Sequence, residues 1–261
     1  MDKYVFKCIL KQNNIPVLDC KYYTLNDYNN NLKAIINEIE KEFDYPVIIK
    51  PANLGSSIGI QIAKDTQKLE ESIINAFSYS NKIIIEKAIT NLKEVNCSVL
   101  GDYENAQASE CEEPIKTDDI LSFNDKYISG GKKGSSKLNE KSMNSGILKL
   151  PADIDRKMKN AIQEYSIKTF KALGCCGVAR IDVLIDIDTN KIYVNEINTI
   201  PGCLSFHLWR ATKMNYKDLL DNLIELSLKR NREEENITFS FNSNILSGSS
   251  LKGTKSAKIN K

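Results

Sequence analysis

Ala179-Arg180-Ile181-Asp182-Val183-Leu184-Ile185-Asp186, a polar turn at Asp188-Thr189-Asn190, and Lys191-Ile192-Tyr193-Val194-Asn195-Glu196-Ile197-Asn198 read as a β-hairpin. Glu196 and Asn198 stand two apart on one strand and so share a face, and Asp182 lies on the paired strand next to Arg180. Two carboxylates and an amide beside an arginine are unusual inside apolar strands. Oxygen-only donors of this kind suit Mg²⁺, which shares its octahedron with phosphate oxygens; a solvated, charged sheet face is the alternative. Pro201-Gly202 ends the hairpin.

Upstream, residues 3–14 carry apolar residues at helical spacing, Ile15 to Cys20 reads as a strand start, and residues 25–43 as a polar-faced helix. Tyr45 to Pro51 is a compact buried strand, Ile60 to Ala63 its returning partner, 66–79 a helix and Lys82 to Lys87 another strand. Between the first two strands, Gly55-Ser56-Ser57-Ile58-Gly59 has backbone N–H groups suited to phosphate, or is a plain hairpin turn. It is not a Walker A loop, because Gly-Lys-Ser/Thr is missing and a strand follows. Lys50, at a strand end before this loop, either snorkels to solvent or serves phosphate as a point charge. Glu94 opens an alternating strand to Gly101 and is a ribose ligand or a surface carboxylate. The basic stretch 125–146 reads as a lid over anionic phosphates or an ordinary loop. Residues 153–173 form an amphipathic helix stopping at Gly174, 216–230 a last helix, and 246–261 a loose Ser/Gly/Lys tail.

Composition narrows the chemistry. The 261 residues hold 36 Lys+Arg against 34 Asp+Glu, a net charge of +2 that carries no nucleic-acid footprint. Mean hydropathy is −0.35 and no apolar run reaches the roughly 18 residues of a membrane span. The amino terminus is charged at once and has no secretory h-region, so a cytoplasmic protein is expected. Seven scattered cysteines without a C-x-x-C pair are expected to be reduced and mostly buried. The single His207 excludes Ser-His-Asp triads and H-E-x-x-H zinc sites, which leaves lysine, arginine, carboxylates and backbone amides.

In order along the chain, Asp2-Lys3, Pro46 to Pro51, Gly55 to Gly59, Ile85-Glu86-Lys87, Glu94, Lys126-Tyr127, Gly177 to Asp182 and Asn195 to Gly202 resemble the ATP-grasp ligases, specifically the D-alanine–D-alanine ligase family. The resemblance runs from about residue 2 to residue 230. It implies an α+β ATP-grasp fold, two α+β lobes holding the nucleotide between antiparallel sheets. The division implied is 1–90 for a central lobe, 91–230 for a C-terminal lobe with the Mg and substrate site, and 231–261 for an extension that is flexible from 246.

The resemblance also implies roles. Lys3 and Lys50 would hold ATP phosphates, Glu86, Lys87 and Ile89 would lie on the hinge strand that reads adenine, Glu94 would take the ribose, and Lys126 would be the lid lysine. Asp182, Glu196 and Asn198 would ligate two Mg²⁺ ions, with Mn²⁺ as a substitute. Arg180 would stabilise the tetrahedral oxyanion, and Ser56 and Tyr127 would belong to a hydrogen-bond triad positioning substrate and lid. Gly202, Ser205, His207 and Leu208 would receive the second substrate in a loop that departs from the family's Thr-Ser-x-Ser form. The activity implied is ATP-dependent joining of two D-alanines for peptidoglycan and cell-wall synthesis. A D-serine acceptor and a catalytically incomplete ATP-binding fragment are the alternatives. Full members carry a further N-terminal domain before Asp-Lys, which supplies the glutamate of the triad. The resemblance thus implies a truncated or split product, with a separately encoded N-terminal domain as partner, and admits a homodimer.

Overall fold

The computed structural model describes residues 1–55, 57–114 and 148–238. Two antiparallel sheets organise them. The first is four-stranded, in the order β1-β4-β2-β3, from β1 (Cys20–Thr24), β2 (Val47–Pro51), β3 (Gln61–Ala63) and β4 (Lys82–Lys87). The second is five-stranded, in the order β7-β6-β5-β8-β9, from β5 (Leu92–Gly101), β6 (Ala106–Pro114), β7 (Leu148–Lys149), β8 (Gly177–Asp186) and β9 (Lys191–Asn198). Alternation along β2 and β4 sends Val47, Ile49, Ile83 and Ile85 into a core shared with helices α2 (Leu25–Glu42) and α3 (Thr66–Phe77). The opposite face of that sheet carries Lys50, Ile84 and Glu86.

In the second sheet, Ala179, Ile181, Val183 and Ile185 pack beneath helix α4 (Arg156–Ala172), whose Ile162 and Phe170 are fully buried. The same core contains Phe6 and Leu10 of α1 (Lys3–Gln12). The first helix therefore packs into the second sheet, although it precedes the first in sequence. On the other face, at one end, Leu100 and Val178 meet Trp209 of α5 (Phe206–Ala211) and Leu219 of α6 (Tyr216–Glu235). The β5–β6 turn needs Gly101 at φ +146°, since a Cβ there would lie 2.0 Å from the Asn105 carbonyl oxygen.

Several sequence expectations need correction. Ile15 to Asp19 is not a strand; pairing starts at Cys20, although the Pro16 carbonyl accepts from Val194 N at 2.8 Å. Helix α2 is interrupted at Asn31 (φ −164°), whose side chain accepts from Ala34 N at 3.0 Å and so restarts the helix. Helix α6 continues past 230 to Glu235. Strand β6 and helix α5 had no counterpart in the sequence reading. Only Cys97 and Cys111 of the seven free cysteines are buried, whereas Cys8 and Cys203 are exposed. The basic 125–146 stretch and the tail from 246 lie outside the described residues.

Because Leu10 is fully buried between α1 and the second sheet, Leu10→Ala is expected to cost about 2–5 kcal/mol. The check is the urea midpoint at unchanged m value.

Candidate functional site

The site grows from the register of the second sheet. Residues directly opposite one another on antiparallel strands share a face. Arg180 faces Asn198, and Asp182 faces Glu196. Across β5 the same row continues, because Asp182 also faces Asn96, and Asn96 faces Glu112. A polar row Glu112–Asn96–Asp182–Glu196 thus crosses four strands on the face opposite the α1/α4 core.

Arg180 and Asp182 form a bidentate pair, Nε to Oδ1 at 2.7 Å and Nη2 to Oδ2 at 3.0 Å. Burial works against the guanidinium charge, but Asp182, with Glu112 and Glu94, outweighs it and raises the Arg180 pKa. Glu112 is nearly inaccessible and pairs with His207 Nε2 at 2.5 Å, and Asn96 Nδ2 donates to its other oxygen at 3.1 Å. Burial alone would raise the Glu112 pKa; His207, Asn96 and Arg180 together lower it. The remaining amide oxygen, Asn96 Oδ1, is buried with no hydrogen-bond partner among the described residues.

From the other sheet and from α1, three lysines reach toward this row. Lys3 and Lys50 are almost wholly buried. Asp2 caps α1 through Tyr4 N at 2.8 Å and Val5 N at 3.1 Å, which fixes Lys3 at the first helical position. Lys3 Nζ lies 3.7 Å from Glu196 Oε1 and also donates to the Leu54 carbonyl just before the glycine-serine loop. Desolvation, joined by repulsion from Lys50, lowers the Lys3 pKa in spite of Glu196 and Glu86. Lys50 Nζ donates to Asn195 Oδ1 at 3.3 Å and lies 2.5 Å from Glu86 Oε1. Lys7, which the sequence reading passed over, is buried on the same helix face and donates to Glu86 Oε2 at 2.8 Å.

Lys3, Lys50, Arg180, Asp182, Glu196 and Asn198 therefore converge, and Glu94 is close enough to act on Arg180. The side chain of Glu86 is fully buried against two lysines. Lys87 turns to the other face, exposed, 3.8 Å from Asp44, so a nucleotide contact from this residue would have to come from its backbone. Ile89 is half-buried in the link between β4 and β5. Ser205 and Leu208 are buried, Gly202 is exposed, and His207 is tied to Glu112. Ser56, Lys126 and Tyr127 lie outside the described residues. Asn96 and Glu112 were missed. The signal was available for Asn96, which stands two residues beyond Glu94 on a strand already recognised.

Comparison with known proteins turns this geometry into a family. The family described as D-ala D-ala ligase C-terminus matches residues 9–225. The chain belongs to the D-alanine–D-alanine ligase family. A D-alanine–D-alanine ligase of Thermosipho africanus is 40% identical over 245 residues, covering 94% of this chain and 62% of the relative. One from Thermosipho melanesiensis is 41% identical over 247 residues, again 94% and 62%. Among solved structures, the D-alanine–D-alanine ligase of Coxiella burnetii superposes with a TM-score of 0.70 at 25% identity, over 90% of this chain and 59% of that one. The VanG D-Ala:D-Ser ligase of Enterococcus faecalis gives 0.69 at 29% identity, over 87% and 61%. The chain thus spans about 62% of the length of the ligases it matches, and its two antiparallel sheets with helices form the α+β ATP-grasp architecture of that family.

Glu112 supplies an acid dependence with a definite sign. Its folded pKa is below the ordinary 4.5, so its contribution to stability is complete above about pH 4.5 and is lost as pH falls through the folded value. E112Q is expected to flatten the fall in melting temperature below pH 4.5. Removing this charge-assisted pair should also cost roughly 1.5–3 kcal/mol at pH 7.

Proposed function

We propose that this chain carries the nucleotide and metal chemistry of an ATP-dependent ligase that joins two D-alanines for peptidoglycan synthesis in the cytoplasm. The observation that carries the reading is the convergence, between two antiparallel sheets, of Lys3 and Lys50 with Asp182, Glu196, Asn198 and Arg180. The two sheets belong to two lobes, in the proposed division 1–90 and 91–230, with α1 bracing both. Helix α6 crosses the boundary with the proposed 231–261 extension.

The donor set fits Mg²⁺. It is made of hard oxygens only, two carboxylates and an amide on neighbouring positions of one sheet face. These are too few to fill an octahedron, which matches an ion whose other ligands are phosphate oxygens and water. Two Mg²⁺ ions, with Mn²⁺ as a substitute, would sit on Asp182, Glu196 and Asn198 and supply charge neutralisation to the phosphates. Lys3 and Lys50 bind and orient the phosphate chain as point charges. The backbone from Glu86 to Ile89 faces the base, and Glu94 accepts from the ribose.

In the reaction, the carboxylate of the first D-alanine takes the terminal phosphoryl group of ATP and becomes an acyl phosphate. The amine of the second D-alanine then attacks that carbonyl, and phosphate leaves. Phosphoryl transfer of this kind depends on positioning and charge stabilisation. Arg180, held in the plane of Asp182, opposes the negative charge that develops in the tetrahedral state. Lys126 and Tyr127 would close over the acyl phosphate and exclude water, with Ser56 aligning Tyr127. Gly202, Ser205, His207 and Leu208 receive the acceptor.

A D-serine acceptor is the second reading: the loop departs from the family's Thr-Ser-x-Ser form, and a D-Ala:D-Ser ligase is among the solved structures the chain resembles. The other reading is an ATP-binding fragment completed by a separately encoded N-terminal domain.

Titration of the purified chain with Mg-ATP should give saturable binding, and Glu196→Ala should abolish it with little loss of stability, since that side chain is 39% exposed. Unchanged nucleotide affinity in E196A would remove the metal assignment. Phosphate release that depends on D-alanine identifies the ligase, and preferential release with D-alanine plus D-serine identifies the alternative acceptor. ATP binding without release identifies the fragment.

A further inference from the structure

Glu86 presents a problem of electrostatics. It lies in the middle of β4, opposite Cys20 of β1 and Ile48 of β2, with no exposure to solvent. A carboxylate there is stable only if cations or donors replace its water. Its two oxygens are divided between two amines that come from different elements. Oε1 lies 2.5 Å from Lys50 Nζ, from β2, and Oε2 accepts from Lys7 Nζ at 2.8 Å, from α1. Burial would raise its pKa, but Lys50 and Lys7 together lower it, so the carboxylate stays charged.

Lys7 is the less exposed of the two amines, at 2%, and its second partner is the Leu18 carbonyl at 3.1 Å. Both of these contacts are internal, the Glu86 carboxylate and the Leu18 carbonyl. Lys50 is different: besides Glu86 it touches Asn195 on β9, at the edge of the row that holds Glu196. One amine is therefore internal, and the other faces the cleft. With Lys7 removed, Lys50 would be the one amine left in contact with Glu86, with Lys3 acting on it only at longer range.

We propose that Lys7 is a positioning residue of the nucleotide site. By sharing the charge of Glu86 it weakens that carboxylate's hold on Lys50, which pairs with the other oxygen, and so leaves the Lys50 amine able to turn to a polyphosphate. Glu86 is then an internal counter-ion whose work depends on the first helix. The nucleotide part of this inference rests on the function proposed above, whereas the Lys7–Glu86–Lys50 linkage does not.

The test uses the full chain, with K7M, K7R and the double variant K7M/E86Q, and two measurements. Competitive acetylation of Lys50 by acetic anhydride without nucleotide, read by mass spectrometry, reports how far Glu86 holds that amine. Calorimetric titration with Mg-ATP reports affinity. K7M is expected to slow Lys50 acetylation severalfold and to weaken Mg-ATP at least tenfold. K7R should restore most of both, because a cation again faces Oε2. K7M/E86Q should return Lys50 acetylation to or above the wild-type rate, and it removes the uncompensated charge if K7M alone fails to fold. Lys50 acetylation that is the same in wild type, K7M and K7M/E86Q overturns the proposal, as does K7R behaving like a folded K7M. A wild-type chain that does not bind Mg-ATP, but whose Lys50 acetylation follows the expected order, defeats the nucleotide reading and leaves the linkage standing.

Discussion

One extra residue in β9 governs the arrangement of the second sheet. Asp182 pairs with Glu196, but the next residue, Val183, pairs with Val194, so Asn195 is bulged out of the ladder. Without that bulge, Val194 and Ile197, three apart, would point to opposite faces. With it, both enter the α1/α4 core. Glu196 and Asn198 are thereby held opposite Asp182 and Arg180, on the polar face. The bulged residue is itself used, since its amide oxygen accepts from Lys50 of the other sheet. A slip of one residue would send the carboxylates into the core and the isoleucines into the cleft.

The cleft between the sheets is a place where charge is gathered and cancelled at close range. Lys7 and Lys50 share Glu86 and leave one positive charge over, Arg180 pairs with Asp182, and Glu112 with His207. The Lys7–Glu86–Lys50 group, the most deeply buried, gains little net stability from pairing, because the desolvation cost is of the same order as the attraction. The value of these pairs is positional. Arg180 is kept flat against Asp182 and Lys50 is kept on a central strand between Glu86 and Asn195, so both cations are placed before any ligand arrives, which is the condition for electrostatic stabilisation with little reorganisation.

The hairpin, the glycine-serine loop and most helices were legible because alternation and helical spacing are local signals. The hairpin could be read from Ile181, Val183 and Ile185 alternating with Arg180 and Asp182, which is what a strand with one buried face requires. Strand β6 was not legible for an equally physical reason. Its sequence, Ala106-Gln107-Ala108-Ser109-Glu110-Cys111-Glu112-Glu113-Pro114, carries three glutamates and no large apolar residue to mark a buried face. Each charge is answered by a partner distant in sequence: Lys159 on Glu110 at 2.6 Å, His207 on Glu112 and Lys93 on Glu113 at 3.3 Å. No window of sequence contains both halves of those pairs. The importance of Lys7 was hidden in the same way, since its partner lies 79 residues away.

The two ends of the cleft are built to different tolerances, and this bears on what each can recognise. At the lysine end, α1 belongs to the core of the second sheet through Phe6 and Leu10, yet its amino end is tied to the first by Lys3 N donating to the Ala52 carbonyl at 2.9 Å. The Lys3 and Lys50 amines thus stand on a helix and a central strand, elements that hold a position to a fraction of an ångström. At the other end, Cys203, Leu204 and Ser205 run consecutively at φ 50–55°, a left-handed stretch without glycine. Such residues cost about 1–3 kcal/mol each and persist only where their surroundings hold them. Here Trp209, donating to Ser98 Oγ at 3.1 Å, and His207, on Glu112, do the holding. An invariant ligand such as a polyphosphate suits the rigid end. A loop kept in place by a few side-chain bonds is where substitution can re-aim the backbone without disturbing the cores of the two sheets, so in the proposed ligase the choice of acceptor would fall there. His207 sits at that position.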